Sequence, residues 1–283
     1  MSPIMGLLPF VVAIAWTSPE HFSSVELPTK NQQRTQQLTQ ARWQERSDFS
    51  KYFQQAGVEG TFILYDLQQD QYLVYNSDRA NTRFLPASTF KIFNSLVALE
   101  LGTIKDENQV LKWDGVTRKF PDWNKDQTMR TAIKDSVIWF YQEMARRIGQ
   151  ERMQCYINLT NYGNRDISGG IDQFWLQGEL RISAKEQIDF LVKLYRNQLP
   201  FSQKTMDTVK DILIDEQTDN HVLRGKTGWL WDISPELGWY VGYLERSDRV
   251  YFLAMNIDMS RPEDRQARIG ITQQILQNLK LLE

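Results

Sequence analysis

Residues 222–258, VLRGKTGWLWDISPELGWYVGYLERSDRVYFLAMNID, contain three runs rich in β-branched, aromatic and apolar residues. Runs of this length and composition are typical of β-strands. We therefore predict strands at 222–228, 238–245 and 249–258. Strands that follow one another through such short connections favour an antiparallel sheet, which becomes the centre of the fold.

The remaining strands of the predicted sheet come from the N-terminal part of the chain. Two β-rich segments, 61–67 and 71–75, predict a hairpin because only three polar residues separate them. A first helix is predicted at about 36–56, and it ends at Gly57, a usual helix-terminating residue. A final amphipathic helix is predicted at 264–282.

The middle of the chain, from about 89 to 215, is predicted to be mostly helical. Apolar residues recur at helical spacing at 89–101, 137–148, 183–196 and 202–214. Ser183 is predicted to cap its helix, with Glu186 completing a capping box. Together these elements predict an α+β fold, arranged as an α/β sandwich. Its antiparallel sheet is built from both chain ends and flanked by the terminal helices, and a helical lobe is added from the middle.

The composition of the 283 residues narrows the possible functions. The net charge of −2 gives no electrostatic reason to expect nucleic acid or an anionic membrane as a partner. The chain has only two histidines, His21 and His221, and one cysteine, Cys155. These counts exclude a disulfide within the chain, a Cys-rich zinc centre and a three-histidine metal site, and we expect no metal. They also disfavour histidine as a general base, and we predict that His221 lies on the surface.

The N-terminus carries an almost wholly apolar run, from Ile4 to Trp16. It is shorter than the roughly 20 residues of a transmembrane helix, so no stable membrane span is predicted. The run fits a secretory signal, and Ala13 and Ala15 fit its cleavage pattern. We predict a signal peptide at 1–15, a polar linker at 16–46 and one domain at 47–283. The protein is then exported, to the periplasm or beyond it; the alternative is a buried N-terminal segment.

Ser88-Thr89-Phe90-Lys91 is an S-x-x-K motif at the start of a predicted helix. Residues three apart face the same side of a helix, so Lys91 can reach the hydroxyl of Ser88. A serine needs a neighbouring base to become a nucleophile, and a lysine serves as one once burial removes its charge. Taken alone, the motif is better explained by an N-cap serine followed by an exposed lysine.

The chain contains further motifs in a fixed order after Ser88-Thr89-Phe90-Lys91. They are Ser136-Val137-Ile138, Tyr162-Gly163-Asn164, Trp175-Leu176-Gln177-Gly178 and Lys226-Thr227-Gly228. S-x-x-K with K-T-G is typical of penicillin-recognising serine enzymes. From about residue 57 to the C-terminus, the chain resembles the class D (oxacillinase-type) serine β-lactamases. The resemblance implies the β-lactamase/transpeptidase-like fold.

The resemblance also implies the catalytic residues. Ser88 would be the acylated nucleophile, and Lys91 would be carboxylated on Nζ by CO₂ (N6-carboxylysine) and act as general base. No other cofactor is implied. Trp175 would donate its indole N–H to the carbamate. Ser136 would relay a proton to the leaving lactam nitrogen, and Lys226 would supply positive potential for that step.

The remaining site residues are implied in the same way. The backbone N–H groups of Ser88 and Trp229 would form the oxyanion hole. Arg268 would bind the substrate carboxylate with help from Thr227. The missing side chain of Gly228 would let the strand approach substrate closely. Two apolar residues would wall the lysine and control access of water: Ile138, where the family usually has Val, and Leu176.

The predicted function is hydrolysis of β-lactam antibiotics through a serine acyl-enzyme. The alternative is a slowly deacylating penicillin-binding or sensor-like protein, and a transpeptidase acting on cell-wall peptides is a further possibility. The expected partner is a small-molecule β-lactam, and the chain is expected to be a monomer or homodimer. Tyr162 and Asn164 are expected to be architectural. Three tryptophans, Trp113, Trp123 and Trp139, are candidates for lining the cleft.

Overall fold

The computed structural model describes residues 41–283. The predicted signal peptide, the linker as far as residue 40 and the first residues of the predicted N-terminal helix lie outside the described residues. The strands are β1 (Arg42–Glu45), β2 (Gly60–Asp66), β3 (Gln71–Tyr75), β4 (Ile214–Gln217), β5 (His221–Leu230), β6 (Glu236–Arg246) and β7 (Val250–Met259). The helices are α1 (Ser50–Ala56), α2 (Ser77–Asn81), α3 (Lys91–Glu100), α4 (Met129–Lys134), α5 (Ile138–Ile148), α6 (Gln150–Thr160), α7 (Ala184–Tyr195), α8 (Gln203–Ile212) and α9 (Asp264–Asn278). Short 3₁₀ turns lie at Ser47–Phe49, Ala87–Phe90 and Pro121–Trp123.

The seven strands form one sheet in the order β1-β3-β2-β7-β6-β5-β4. The two chain ends meet where β2 pairs antiparallel with β7, with Ile63 opposite Ala254. The hairpin β2–β3 and the consecutive strands β5, β6 and β7 pair antiparallel, as predicted. The sheet from both ends is therefore confirmed, except that the outermost strand β1 runs parallel to β3.

Successive side chains of a strand point to opposite faces of the sheet, so the core is divided into two buried clusters, one on each face. In β2, Phe62 and Leu64 belong to one buried cluster, and Ile63 belongs to the other. The first cluster includes Phe53 of α1 and Ile275 of α9. The two terminal helices therefore cover one face of the sheet, as the sequence predicts.

Helices from the middle of the chain cover the opposite face. Helix α7 packs on β6 and β7, and α3 lies within the same buried cluster. Helix α3 is buried on all sides from Lys91 to Ala98, so its first residue lies in the protein interior. In the part of the chain described here, no helix is long and apolar enough to cross a membrane.

Several predicted boundaries need correction. Residues Arg42–Glu45 form strand β1, hydrogen-bonded beside β3, although they were assigned to the linker and to the first helix. That helix begins only at Ser50, and it ends at Gly57 as predicted, where φ is 67°. His221 is buried rather than on the surface, because β4 covers the start of β5 and places Glu216 Oε1 at 3.3 Å from His221 Nε2.

Candidate active site

Ser88 lies in a tight turn that leads into the buried helix α3. The backbone N–H and hydroxyl of Thr89 donate to the carbonyl of Pro86 at 3.1 and 2.7 Å. Ala87 has φ of 51°, in the left-handed region that residues other than glycine adopt uncommonly. Its N–H donates to the carbonyl of Trp175 at 3.1 Å. The main chain around Ser88 is thus held on both sides.

Lys91 lies at the first position of α3 and contacts Ser88 directly. Its Nζ donates to Ser88 Oγ at 2.6 Å, and the whole lysine is buried. Burial lowers the pKa of Lys91 well below its usual range, and the positive charge of Lys226 lowers it further. A neutral amine next to the hydroxyl has a free electron pair and accepts the serine proton.

One aromatic ring lies over the head of Lys91, and others pack on its neighbour Phe90. Phe90 stacks on Trp175 with ring centroids 5.3 Å apart, and Lys91 Nζ lies 5.4 Å from the centre of the Tyr141 ring. Trp175 is buried, yet its indole Nε1 has no hydrogen-bond partner among residues 41–283. Such a donor is costly to leave unpaired, so this part of the core suits an additional acceptor at Trp175 Nε1.

Ser136 approaches the site from the turn between α4 and α5. Its φ of 57° is again in the left-handed region, and the N–H of Val137 donates to Ala132 at the end of α4. Lys226 Nζ donates to Ser136 Oγ at 3.1 Å and to the carbonyl of Thr227 at 3.0 Å. Burial, and secondarily the charge of Arg268, lowers the pKa of Lys226 to about 7.

Strand β5 brings Lys226, Thr227 and Gly228 alongside the turn that carries Ser88. Strand β4 pairs with β5 only as far as Arg224, so the rest of this edge of β5 faces that turn. A Cβ at Gly228 would lie 3.2 Å from the Pro86 carbonyl oxygen and 3.0 Å from Trp239 Cβ. The glycine therefore lets β5 lie close to the Ser88 turn and to β6. It also lines the first cavity, and its close approach to substrate stays a prediction.

Arg268 reaches the same strand from α9, where its guanidinium donates to the carbonyl of Gly228. Its Nε has no partner among residues 41–283. Burial, and secondarily the charge of Arg265, lowers the pKa of Arg268 to about 10. A partly buried cation whose Nε is left without a partner by residues 41–283 is suited to an anionic ligand.

Ser88 lines one cavity, and a second cavity adjoins it. The first has a volume of about 200 Å³. Its lining comprises Ser88, Phe120, Asp122, Trp123, Asp135, Ser136, Ile138, Thr227, Gly228, Trp229, Trp231 and Arg268. The second, of about 500 Å³, is lined in part by Leu176 and Gln177. Ile138, Trp229 and Trp231 line both cavities and so form the wall between them.

The structure brings the predicted site residues together, and it adds others. Of the three candidate tryptophans, Trp123 lines the first cavity, whereas Trp113 and Trp139 line neither. Phe120 and Trp231 also line the first cavity, although sequence spacing does not single them out. The signal that the sequence offers for them is the aromatic content of residues 120–123 and 229–231.

The remaining motif residues are structural. Tyr162 is buried and packs edge-on against Phe90 at 5.8 Å. Asn164 Nδ2 donates to the Glu179 carbonyl at 2.7 Å, and Asn164 Oδ1 accepts from the Arg181 N–H at 2.9 Å. Within residues 41–283, no group of three or more His, Cys, Asp or Glu side chains is arranged to hold a metal ion.

Sequence comparison identifies the relatives of this chain. A family described as the penicillin binding protein transpeptidase domain matches residues 60–279. The β-lactamase OXA-48 of Klebsiella pneumoniae is 45% identical over 240 residues, which cover 85% of this chain and 91% of the relative. The probable β-lactamase YbxI of Bacillus subtilis is 47% identical over 215 residues, covering 76% and 80%.

Solved structures of other proteins share the fold of this chain. A class D β-lactamase YbXI from Nostoc matches with a TM-score of 0.81 and 49% identity, covering 82% of this chain and 98% of that one. The class D β-lactamase FUS-1 (OXA-85) from Fusobacterium nucleatum matches with a TM-score of 0.82 and 42% identity, covering 84% and 100%. The family matches most of this chain, and the relatives are well above 30% identical to it. The chain therefore belongs to the class D serine β-lactamases.

Proposed function

We propose that this enzyme opens β-lactam antibiotics through an ester on Ser88 and then hydrolyses that ester. The observation that carries the proposal is the 2.6 Å contact between Ser88 Oγ and the buried Lys91 Nζ. In the first half-reaction, Oγ attacks the lactam carbonyl carbon, the ring C–N bond breaks, and the hydroxyl proton leaves toward the Lys91 side chain. In the second, water attacks the ester carbon and Ser88 recovers its proton.

Lys91 is the residue that we propose is carboxylated by CO₂. Only a neutral amine adds CO₂, and burial favours the neutral form of Lys91 by lowering its pKa. The unpartnered indole N–H of Trp175 is a suitable donor for the resulting anion. Carboxylated Lys91 would supply an anionic oxygen as general base for both half-reactions.

Ser136 and Lys226 are placed to protonate the leaving nitrogen. Lys226 Nζ donates to Ser136 Oγ at 3.1 Å, and Ser136 lines the first cavity together with Ser88. We propose that Ser136 gives its proton to the lactam nitrogen and recovers one from Lys226. This order suits a lysine whose pKa is lowered to about 7, since it gives up a proton near neutral pH.

The other ligands of the substrate follow from the cavity lining. The backbone N–H groups of Ser88 and Trp229 are proposed to stabilise the negative charge that develops on the carbonyl oxygen. Arg268 and Thr227 line the same cavity, and they are proposed to bind the substrate carboxylate. Gly228, between Thr227 and Trp229, leaves space for the strand beside the Ser88 turn.

Hydrolysis of the ester requires water to reach the lysine. We propose that Ile138 and Leu176, which both line the second cavity, control this access. The alternative function, a penicillin-binding or sensor-like protein that stays acylated, differs only in this step. It predicts one equivalent of product and then a stable adduct.

The decisive experiment measures hydrolysis of a chromogenic cephalosporin with and without added bicarbonate. We expect many turnovers per enzyme, a higher rate with bicarbonate, and activity that mild acid removes and bicarbonate restores. Lys91→Ala should be inactive, whereas Lys105→Ala, an exposed lysine, should retain the wild-type rate. A single burst with a stable adduct by mass spectrometry would establish the alternative.

We also propose that the protein is exported. The support is the apolar run from Ile4 to Trp16 with small residues at Ala13 and Ala15. Fractionation of cells that express the full chain tests this proposal by locating the activity. N-terminal sequencing of the exported protein would identify the cleavage site, which we expect after Ala15.

A further inference from the structure

The Trp229 indole is held by two charged residues from different elements. Its Nε1 donates to Glu236 Oε2 at 2.6 Å, across the connection between β5 and β6. The guanidinium of Arg265, on α9, lies 4.0 Å from the centre of the indole ring. A carboxylate at the N–H and a cation over the face are the two charges that an indole accepts favourably, and together they fix one ring orientation.

Aromatic neighbours contact the same ring from inside the cleft. Trp231 and Phe120 meet Trp229 edge-on, with centroid distances of 5.0 and 6.2 Å. Both neighbours line the first cavity, and Trp231 also lines the second. Glu236 and Arg265 line neither cavity. They therefore affect the shape of the cleft through the position of Trp229. Arg265 also acts on Arg268 through its charge, which Arg265→Lys keeps.

The position of Trp229 has two consequences for catalysis. Its ring belongs to the wall between the 200 and 500 Å³ cavities, so the ring's orientation affects the space in both. Its backbone N–H is one of the two proposed oxyanion donors. Movement of the ring changes which acyl side chains fit, whereas movement of the N–H changes the rate for every substrate.

We propose that Glu236 and Arg265 are positioning residues that fix the Trp229 indole between the two cavities and thereby limit the size of the acyl side chain admitted on a β-lactam. The proposal rests on the proposed function for its substrate class. It is independent of carboxylation of Lys91.

The test compares kcat/KM for two penicillins with the same nucleus, benzylpenicillin and the bulkier oxacillin. Glu236→Leu removes the acceptor, whereas Glu236→Gln keeps an oxygen that accepts the indole N–H. Arg265→Ala and Arg265→Lys form the corresponding pair for the cation. Glu263→Leu, at an exposed residue just before α9, is the matched control for a lost carboxylate.

We expect Glu236→Leu and Arg265→Ala to raise the oxacillin-to-benzylpenicillin ratio of kcat/KM at least fivefold, mainly through KM. Glu236→Gln, Arg265→Lys and Glu263→Leu should stay within twofold of wild type. An unchanged ratio in both Glu236→Leu and Arg265→Ala overturns the proposal, as does a Gln variant that behaves like Leu. If one disruptive variant fails to fold, the other pair still decides the question.

A second measurement detects the hydrogen bond between Trp229 and Glu236 without depending on catalysis. In protein labelled with ¹⁵N-tryptophan, the Trp229 indole resonance is assigned by its loss in Trp229→Phe. We expect Glu236→Leu to move this resonance and to speed its exchange with solvent, whereas Glu263→Leu leaves it unchanged. An unaltered resonance contradicts the proposed positioning. A wild-type enzyme with no turnover would instead refute the proposed function, and this spectrum would remain interpretable.

Discussion

Lys91 and Lys226 are both buried in one site, and the positive charge of Lys226 lowers the pKa of Lys91 below the value that burial alone would give. The folded protein therefore resists placing protons on both amines. In the unfolded chain both amines are solvated and bind protons at their ordinary pKa. The free energy of unfolding and the protonation state of Lys91, the candidate base, therefore both depend on the protons that these two amines bind.

Stability should rise with pH above neutrality. The pKa of Lys226 falls from 10.5 to about 7 on folding, so between these values the unfolded state binds the extra proton. Each such proton adds up to about 1.4 kcal/mol of unfolding free energy per pH unit. We expect Lys226→Met to flatten this rise by about one proton in urea denaturation at pH 7–9.5 without bicarbonate. Lys105→Met should keep the wild-type slope, and an identical slope in both variants would contradict the lowered pKa.

Trp175→Phe should weaken carboxylation of Lys91. The variant keeps the buried ring but removes the unpartnered indole N–H. A hydrogen bond to a charged group contributes about 1.5–3 kcal/mol. We therefore expect the bicarbonate concentration for half-maximal activity to rise roughly tenfold or more. Trp139→Phe, which removes an indole N–H bonded to the Trp123 carbonyl, is the matched control and should not move that concentration.

Gly228→Ala should be destabilising, and Gly270→Ala should not be. A Cβ at 228 meets the Pro86 carbonyl and Trp239 Cβ, which are both held by surrounding structure, whereas a Cβ at 270 has nothing within 4 Å. Overpacking of this kind costs about 1–3 kcal/mol. Alanine in the interior of α9 gains about 0.5–1 kcal/mol over glycine. Thermal unfolding measures both effects. Equal melting temperatures for the two variants would contradict the close approach of β5 to the Ser88 turn.

Ile138→Val should speed deacylation. Ile138 lies in the wall between the two cavities, and removing one methylene widens the proposed path of water. We expect the acyl-enzyme to decay several-fold faster, since about 1.4 kcal/mol off the barrier is tenfold in rate. Single-turnover kinetics with mass detection of the adduct separates this step from acylation. Leu194→Val, at a buried position that lines neither cavity, should leave the decay unchanged.

The main features of the fold could be predicted because their signals are local. The strand pattern at 222–258 matches β5, β6 and β7 to within two residues at each end. Ser183 accepts from the N–H of Glu186 while Glu186 accepts from the N–H of Ser183, the predicted capping box. The motif residues Ser88, Lys91 and Lys226 could be grouped because motif order in a known family carries their spatial relation.

What could not be predicted depends on contacts between distant segments. Strand β1 is short and polar, and only its pairing with β3 makes it a strand. His221 was expected on the surface because its neighbours are polar, yet β4 covers it. The contacts of Glu236 and Arg265 with Trp229 join residues that no sequence motif links. They depend on how β6 and α9 lie relative to β5, which the sequence pattern does not give.

The two edge strands also oppose aggregation of this protein at high concentration. Both β1 and β4 are four residues long and exposed, and they carry charges at Arg42 and Glu45 and at Asp215 and Glu216. A neighbouring molecule that added a strand at either edge would bury those charges, which opposes open-ended sheet growth. A shortened form lacking β1 would expose β3, with the sequence QYLVY, to such pairing. Residues before the predicted domain boundary thus protect the enzyme against aggregation.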